Sequence, residues 1–310
     1  MNSNLNAGHF KDEQAVYDYV EAHLWPNGPV RPHCGNCDSK KIGRLAGKST
    51  RIGLRKCYEC LTPFTGKVGT VFEDNHVPMT HWLQAIYLMC SSKKGIGTRH
   101  LQRMLGGNMR TAWHMGHRIR LAMTPNADAG PIGGLGKTVE ADETYLAESP
   151  KTRKPKHLPL NAKPAPQAFS LFERGGTIRS MYFDDKSIRS ALNKHLHEDS
   201  RLLTDGSQAY KFQVMNHESV DHSKYEWTRG DVQTNTLKGF FSIFKRGLVG
   251  VYQHMNKKHL DRYLAEFDFR QITGEKPGIR DIQRTGIAIA GAKRKRLLSR
   301  DSPSAQQESR

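Results

Sequence analysis

Two aspartates occupy positions where a charged side chain needs a chemical reason. Asp142 lies in the middle of the alternating apolar stretch VEADETYL, and Asp205 ends the buried-strand pattern of LLTDG. A buried carboxylate costs free energy unless something compensates its charge. A turn or cap before Gly206 is the alternative explanation for Asp205, but no turn signal touches Asp142. If the two strands pair, the carboxylates meet and repel, and a divalent cation relieves the repulsion.

This pair indicates a reaction class. Hard oxygen ligands suit Mg²⁺ or Mn²⁺, and two such ions about 4 Å apart promote in-line displacement at a phosphodiester. We therefore expect metal-dependent phosphoryl transfer on a nucleic-acid strand. Because strand side chains alternate, Glu140 should share the face of Asp142, and Glu143 should point the other way.

Four of the five cysteines form two C-x-x-C pairs that are nineteen residues apart, Cys34 with Cys37 and Cys57 with Cys60. This spacing is typical of tetrahedral four-cysteine zinc sites. The Gly-, Thr- and Arg-rich interior predicts short strands and turns, so we expect a zinc ribbon with a structural Zn²⁺. Two disulfides are the alternative, which an intracellular chain disfavours.

The charge of the chain points to a polyanionic partner. The 310 residues carry a net charge of +18, which attracts nucleic acid, although a solvated basic surface is the plain alternative. No apolar run reaches the roughly 18 residues that span a membrane, and the N-terminus lacks a secretory pattern. We expect a soluble, intracellular protein.

These candidate residues need elements to position them. The periodicity predicts an N-terminal helix within residues 1–30, the zinc ribbon over 31–77, a helical domain over 78–124 and a Gly/Pro linker over 125–136. An α/β domain with a mixed sheet and helices on both faces is predicted over 137–273. A basic, disordered tail, with Lys293 to Arg296 able to contact phosphate, is predicted over 274–310.

Residues 78–124 predict three helices with a tight LGGN turn before the last one, which Asn108 caps. This order indicates a helix-turn-helix-like DNA-binding domain. Arg110, His114 and Arg118 on the third helix are then the DNA-contacting residues. A helical spacer without DNA contact is the alternative.

The order of these motifs resembles a known family. The two C-x-x-C pairs, HWLQAIYLM, VEADETYL, TDGSQAY and the long motif TNTLKGFFSIFKRGLVGVYQHMNKKHLDRYLAEFDFR are similar to bacterial insertion-sequence transposases of the ISXO type. The resemblance covers roughly residues 15–272. It implies a zinc ribbon, a ribonuclease-H-like catalytic domain and DNA transposition, in which freed 3′-hydroxyls attack target DNA. Asp142 and Asp205 match the first two metal ligands of that family.

The third ligand is where the chain departs from the family. Many relatives have Glu where this chain has Lys238, others use Asn at the position of Asn235, and Gln233 replaces a usual His. Lys245 matches a basic residue that follows the third ligand. An amide oxygen is a neutral hard donor, so we favour an Asp-Asp-Asn site with Asn235 as the third ligand.

Two alternatives remain for this position: Glu226 or Asp231 as a third carboxylate, or an inactive copy. Asn235 as a simple helix cap is compatible with each of these. Lys238 and Arg246 extend a basic stripe along the same helix and are predicted to contact DNA phosphate.

The resulting prediction is a DNA transposase that binds double-stranded terminal inverted repeats and target DNA. The resemblance implies a homodimer or larger assembly, because two DNA ends must be held together. The rivals are a non-catalytic zinc-ribbon regulator derived from an inactive transposase, and a nuclease that acts on RNA–DNA hybrids.

Overall fold

The chain is divided into two compact units. The computed structural model describes residues 4–32, 41–126, 129–146, 167–183, 188–205, 210, 216–221, 226, 228–253, 255–274 and 278–297. Unit 1 comprises residues 1–92, 96–124 and 279–310, and unit 2 comprises residues 93–95 and 125–278. Among the residues so described, no helix combines the length and the apolar character that a membrane crossing requires.

Unit 1 begins with helix α1 (Glu13–Leu24), whose N-terminus is capped by the side chain of Asp12. A small antiparallel sheet follows, formed by β1 (Ile42–Arg44), β2 (Arg55–Cys57) and β3 (Pro63–Phe64). Glu21 of α1 is buried and accepts a hydrogen bond from Arg55 Nη2 at 2.6 Å. The predicted helix and the predicted short strands are therefore both present.

Three helices follow, as predicted: α2 (Met79–Ser91), α3 (Thr98–Leu105) and α4 (Met109–Met123). Gly106 and Gly107 join α3 to α4 with positive φ angles of 78° and 79°, a conformation that favours glycine. The Asn108 side chain accepts a hydrogen bond from Thr111 N at 2.7 Å, which confirms the predicted cap.

The prediction of a disordered tail over 274–310 is wrong for residues 278–297. They contain α8 (Asp281–Ala290), which packs on α1, α2 and α4. Small residues allow this close approach: a Cβ on Gly286 would lie 2.4 Å from His23 Nε2. The same small residues weaken the hydrophobic pattern by which a helix is recognised in sequence.

The basic residues after α8 also have a structural role that the prediction missed. Lys295 Nζ donates to the backbone oxygens of Ala122 and Thr124 at the end of α4. A cation at this position complements the negative end of the helix dipole. Arg296 pairs with Asp74, so neither side chain is simply held ready for phosphate.

Unit 2 is built on a five-stranded mixed sheet, which confirms the predicted α/β class. Its strands are β4 (Thr138–Tyr145), β5 (Gln167–Glu173), β6 (Ile178–Phe183), β7 (Arg201–Asp205) and β8 (His217–Val220). Their spatial order is β6-β5-β4-β7-β8. Neighbours are antiparallel from β6 to β4 and parallel from β4 to β8.

Helices cover both faces of this sheet. On one face, α6 (Asn235–Gly247) and α7 (Leu260–Gly274) bury Phe240, Phe244 and Phe267 against the strands. A five-residue π-helix, Leu248–Tyr252, follows α6. On the other face, α5 (Ile188–His195) packs Leu192 against Val139 and Ala141 of β4. The central strand β4 is thus covered on both sides.

Candidate active site

The two predicted aspartates lie side by side at the end of the sheet. β4 and β7 are parallel, with Thr138 opposite Arg201 and Glu140 opposite Leu203. The same register, continued by two residues, sets Asp142 beside Asp205. Residues opposite one another in paired strands point to the same face, so both carboxylates lie on the face that α6 covers.

The charge of Asp205 acts on Asp142. Asp142 is 7% exposed, and burial, followed by the charges of Asp205 and Glu143, raises its pKa to about 7. The charge of Lys238 and a hydrogen bond from Glu143 N, at 2.9 Å, lower the pKa of Asp142 in part. Like charges held this close favour uptake of a cation or a proton.

Glu143 projects toward the opposite face, as predicted, but it takes part in the site. It accepts a hydrogen bond from the Tyr210 hydroxyl. Burial and the charge of Asp205 raise the pKa of Glu143, although the bond from Tyr210 lowers it. Burial and the charge of Glu143 raise the pKa of Tyr210. The Tyr210 partnership gave no sequence signal, because the two residues are far apart in the chain.

Glu140, in contrast, links the sheet to α6. It is fully buried, and its Oε1 accepts hydrogen bonds from Arg174 Nε at 2.9 Å and Thr236 Oγ1 at 3.2 Å. Arg174 Nη2 also donates to the backbone oxygen of Gln233 at 3.1 Å. These contacts fix the first turn of α6 against β4, and this is the turn that contains Asn235.

Asn235 is the first residue of α6, and Thr234 takes the N-cap position, so the notion that Asn235 caps the helix is wrong. Asn235 is exposed, and its Nδ2 donates to Gln233 Oε1 at 2.7 Å. Lys238 lies one helical turn further on, close enough to Asp142 to lower the pKa of that carboxyl. From α6, the structure therefore brings Lys238 and not a carboxylate to Asp142.

The two alternative third ligands have other partners. Asp231 forms ion pairs with Arg201, one of them at 3.0 Å through Nη2, and these hydrogen bonds lower its pKa. Glu226 accepts a hydrogen bond from Asp221 N at 3.2 Å and lies 3.8 Å from Arg229 Nη1. Both side chains thus help to order the segment before α6.

Lys245 and Arg246 lie at the far end of α6, and both are exposed. Ten residues separate Asn235 from Lys245, which is about 15 Å along a helix. Arg246 Nε donates to Ser242 O at 3.2 Å. The predicted basic stripe thus runs from Lys238 beside Asp142 to an exposed helix end.

The cysteine site is described in part, because Cys34 and Cys37 lie outside the described residues. Cys57 ends β2 and is buried, and Cys60 follows in a turn that includes Leu61 at φ 56°. Arg31 Nη1 lies 3.3 Å from Cys60 Sγ, and a cationic donor there stabilises a thiolate, the form that binds Zn²⁺. This half of the site fits zinc.

The predicted DNA-contacting residues of α4 have different surroundings. Arg110 is exposed and His114 is half-buried. Burial and the charges of Arg110 and Arg118 lower the pKa of His114. The Arg118 guanidinium donates to the backbone oxygens of Val71 and Glu73, so Arg118 is part of the packing of unit 1.

Comparison with known proteins gives two family matches. The ISXO2-like transposase domain matches residues 134–271, and the transposase zinc-ribbon domain matches residues 11–62. The first match contains Asp142, Asp205 and α6, and the second contains all four paired cysteines.

One similar protein is described as an uncharacterized protein in transposable element ISH50 of Halobacterium salinarum. It is 26% identical over 289 residues, which cover 87% of this chain and 94% of the relative. No solved structure matches the chain. The two matches show that this chain combines a transposase zinc-ribbon domain with an ISXO2-like transposase domain, in that order.

Proposed function

We propose that this protein is a DNA transposase that cuts and joins DNA strands by metal-dependent, in-line phosphoryl transfer. The observation that carries the proposal is the Asp142–Asp205 pair, two neighbouring carboxylates on one face of a sheet. We also propose that unit 2 is ribonuclease-H-like, which the mixed sheet and its helices on both faces support.

The carboxylates have the chemistry of a divalent-cation site. Asp142 and Asp205 would hold Mg²⁺ or Mn²⁺, and Asn235 would add a neutral amide oxygen as the third ligand. The bound metal would activate the attacking oxygen and stabilise the leaving oxygen. Glu140 and Arg174 keep the first turn of α6 against β4, and Tyr210 holds Glu143 by a hydrogen bond on the opposite face of the sheet.

Lys238 adds a positive charge to this arrangement. Beside Asp142, its ammonium group is placed to contact a DNA phosphate or to offset carboxylate charge. Lys245 and Arg246 would continue this contact along α6. Double-stranded DNA is thus the proposed partner, as terminal repeat and as target, and a homodimer or larger assembly would hold two ends together.

The test is nicking of a labelled duplex that ends in the element's terminal repeat, with Mg²⁺, by wild type, Asp142→Asn and Asp205→Asn. We expect each variant to lose at least about 10³-fold in cleavage rate, because the metal site supplies several kcal/mol. DNA binding should be retained. Equal nicking by all three proteins would remove the catalytic proposal.

A second experiment addresses the third ligand. Asn235→Ala should abolish strand transfer and leave DNA binding intact, whereas Asn193→Ala, an exposed asparagine on α5, should change neither. Full strand transfer by Asn235→Ala would move the assignment to Glu226 or Asp231.

The presence of Lys238 beside Asp142 favours one other function, a DNA-binding regulator derived from an inactive transposase. Such a regulator would bind the terminal repeat without nicking it at any Mg²⁺ or Mn²⁺ concentration. Nicking of an RNA–DNA hybrid without strand joining would instead indicate a nuclease.

A further inference from the structure

Helices α2, α3 and α4 of unit 1 lie in a stretch of sequence without acidic residues. From Asn75 to Ala127 the chain contains no Asp or Glu, although 30 of its 310 residues are acidic. At that average about five acidic residues would fall in this stretch. It contains instead seven residues of Lys and Arg, and five of His. A segment with positive charges alone attracts polyanions, because no neighbouring carboxylate in the sequence competes for its cations.

Only part of this basic stretch faces outward. Arg99, His100 and Arg103 on α3 are exposed, and Leu101 is the one buried residue of that helix. Arg99 and Arg103 are four residues apart, so they lie on the same side of α3, about 6 Å apart along its axis. Arg110 is exposed in the first turn of α4.

The turn between the two helices completes the surface. Gly106 and Gly107 are exposed, and a Cβ added to either would meet nothing within 4 Å. A turn without side chains lets another backbone approach closely. Met104 and Met109, on either side of the turn, are 48% and 46% exposed, so flexible apolar side chains border the charges.

The rest of α4 is turned inward. His117 and Arg120 are buried, and Arg118 donates hydrogen bonds to Val71 and Glu73. The exposed cations of α3 and α4 therefore lie on α3 and on the first turn of α4, and not along the length of α4 as the sequence suggested.

We propose that α3, the glycine turn and the first turn of α4 form a binding surface for the phosphate backbone of duplex DNA. This α3 surface consists of Arg99, His100, Arg103, Gly106, Gly107 and Arg110. That the ligand of this surface is DNA rests on the proposed function. Contacts to phosphate position a protein on DNA and carry little sequence information, so the surface should serve the terminal repeat and unrelated DNA equally.

The experiment compares two double variants of the full-length, zinc-loaded protein. Arg99→Ala/Arg103→Ala removes two charges from the α3 surface, and Arg189→Ala/Lys194→Ala removes two exposed charges from α5 in unit 2. Fluorescence anisotropy would measure binding to a terminal-repeat duplex and to an unrelated duplex between 50 and 300 mM KCl. Circular dichroism and zinc content would check the fold of each variant.

For each duplex, log K is plotted against the logarithm of the salt concentration. We expect the slope of this plot to be less steep by about two for the α3 variant, since each phosphate contact contributes about one to the slope. The affinity of the α3 variant near 150 mM salt should fall about 10- to 100-fold on both duplexes, and Arg110→Ala should lower the slope by about one. An unchanged slope, or an equal loss in the α5 variant, would overturn the proposal.

Catalysis is measured separately, so that the two proposals fail independently. Asp142→Asn should keep the salt slope of the wild-type protein and lose cutting, because its change lies in the metal site and not in the α3 surface. The binding result stands whether or not the wild-type protein cuts.

Discussion

Glu140 and Asp142 are two positions apart on β4 and point to the same side of the sheet, yet their surroundings differ. Glu140 receives hydrogen bonds from Arg174 and Thr236, two partners that belong to the folded chain. Asp142 faces a second carboxylate, Asp205, and its described partners are the Glu143 amide and the charge of Lys238. One carboxylate is compensated by the fold, and the other is arranged for a partner from outside.

The difference explains why a buried charge alone does not identify a reactive site. Glu266 and Asp268 of α7 are also buried, but Arg270 pairs with the first and Ser180 donates two hydrogen bonds to the second. Among the buried carboxylates that the structure describes in unit 2, Asp142 is the one held against another carboxylate. The variants below separate compensated charges from uncompensated ones.

The largest effect is expected at Glu140. Glu140→Ala should lower the free energy of unfolding by about 3–5 kcal/mol, because it leaves Arg174 near a cavity without its buried partner. Glu140→Gln should lose less, since its amide oxygen still accepts hydrogen bonds. The free energies of unfolding of the two variants would be measured by urea denaturation, and hydrogen exchange of the amides in β4 and β5 would report on the local stability. Stability within about 0.5 kcal/mol of wild type for Glu140→Ala would show that the pair is not structural.

A pH-dependent effect is expected at Asp268. Burial raises the pKa of Asp268 to about 7, although hydrogen bonds from Ser180 oppose the rise. The folded state therefore binds a proton that the unfolded state has released, so stability falls as pH rises from about 4 to about 7. The fall is at most about 4 kcal/mol.

Asp268→Asn should remove this fall. Urea midpoints at several pH values between 4.5 and 8 would be compared for the two proteins, so that contributions from other groups cancel. Parallel pH profiles for wild type and variant would mean that Asp268 is equally ionised in both states.

A smaller effect is expected when Lys238 is replaced. Lys238→Glu would add a carboxylate where Asp142 now meets a cation, so Mn²⁺ should bind about 10- to 100-fold more tightly. Isothermal titration calorimetry would measure it. Lys245→Glu makes the same change at the far end of α6 and should leave Mn²⁺ affinity unaltered. Equal effects of the two variants would show that Lys238 acts only through overall charge.

The smallest effect has the opposite sign to the first. Without metal at pH 8, Asp142→Asn should raise the free energy of unfolding by about 1 kcal/mol, because it removes one of two neighbouring like charges. Asp199→Asn, at an exposed aspartate, serves as the control. A loss of stability in Asp142→Asn would show instead that the Asp142 carboxylate stabilises the fold, as the Glu140 carboxylate does.

Much of the architecture of unit 2 was predictable, because its strands and helices have clear periodicity. The stretches around Asp142 and Asp205 form strands, and the stretch from Asn235 to Gly247 forms a helix. The alternation along β4 also set Glu140 and Glu143 on the predicted faces. The predicted domain limits and metal ligands stay predictions.

The unpredicted features depend on contacts between residues that are distant in the chain. Tyr210 finds Glu143 only when β4 and β7 are adjacent, and α8 depends on the helices that it covers. The surroundings of Arg118 were missed for the same reason, because sequence shows that Arg118 is basic but not that backbone oxygens accept its hydrogen bonds. Burial of a charged side chain is a property of the assembled unit.

The position of α8 has a consequence for biosynthesis. Unit 1 starts near the N-terminus, but α8, which packs on α1, α2 and α4, is translated after the whole of unit 2. On the ribosome, the last helix of unit 1 therefore emerges after the strands with the catalytic candidates. A nascent or prematurely terminated chain that stops near residue 275 would expose the apolar surfaces that α8 covers, and such surfaces promote aggregation and proteolysis.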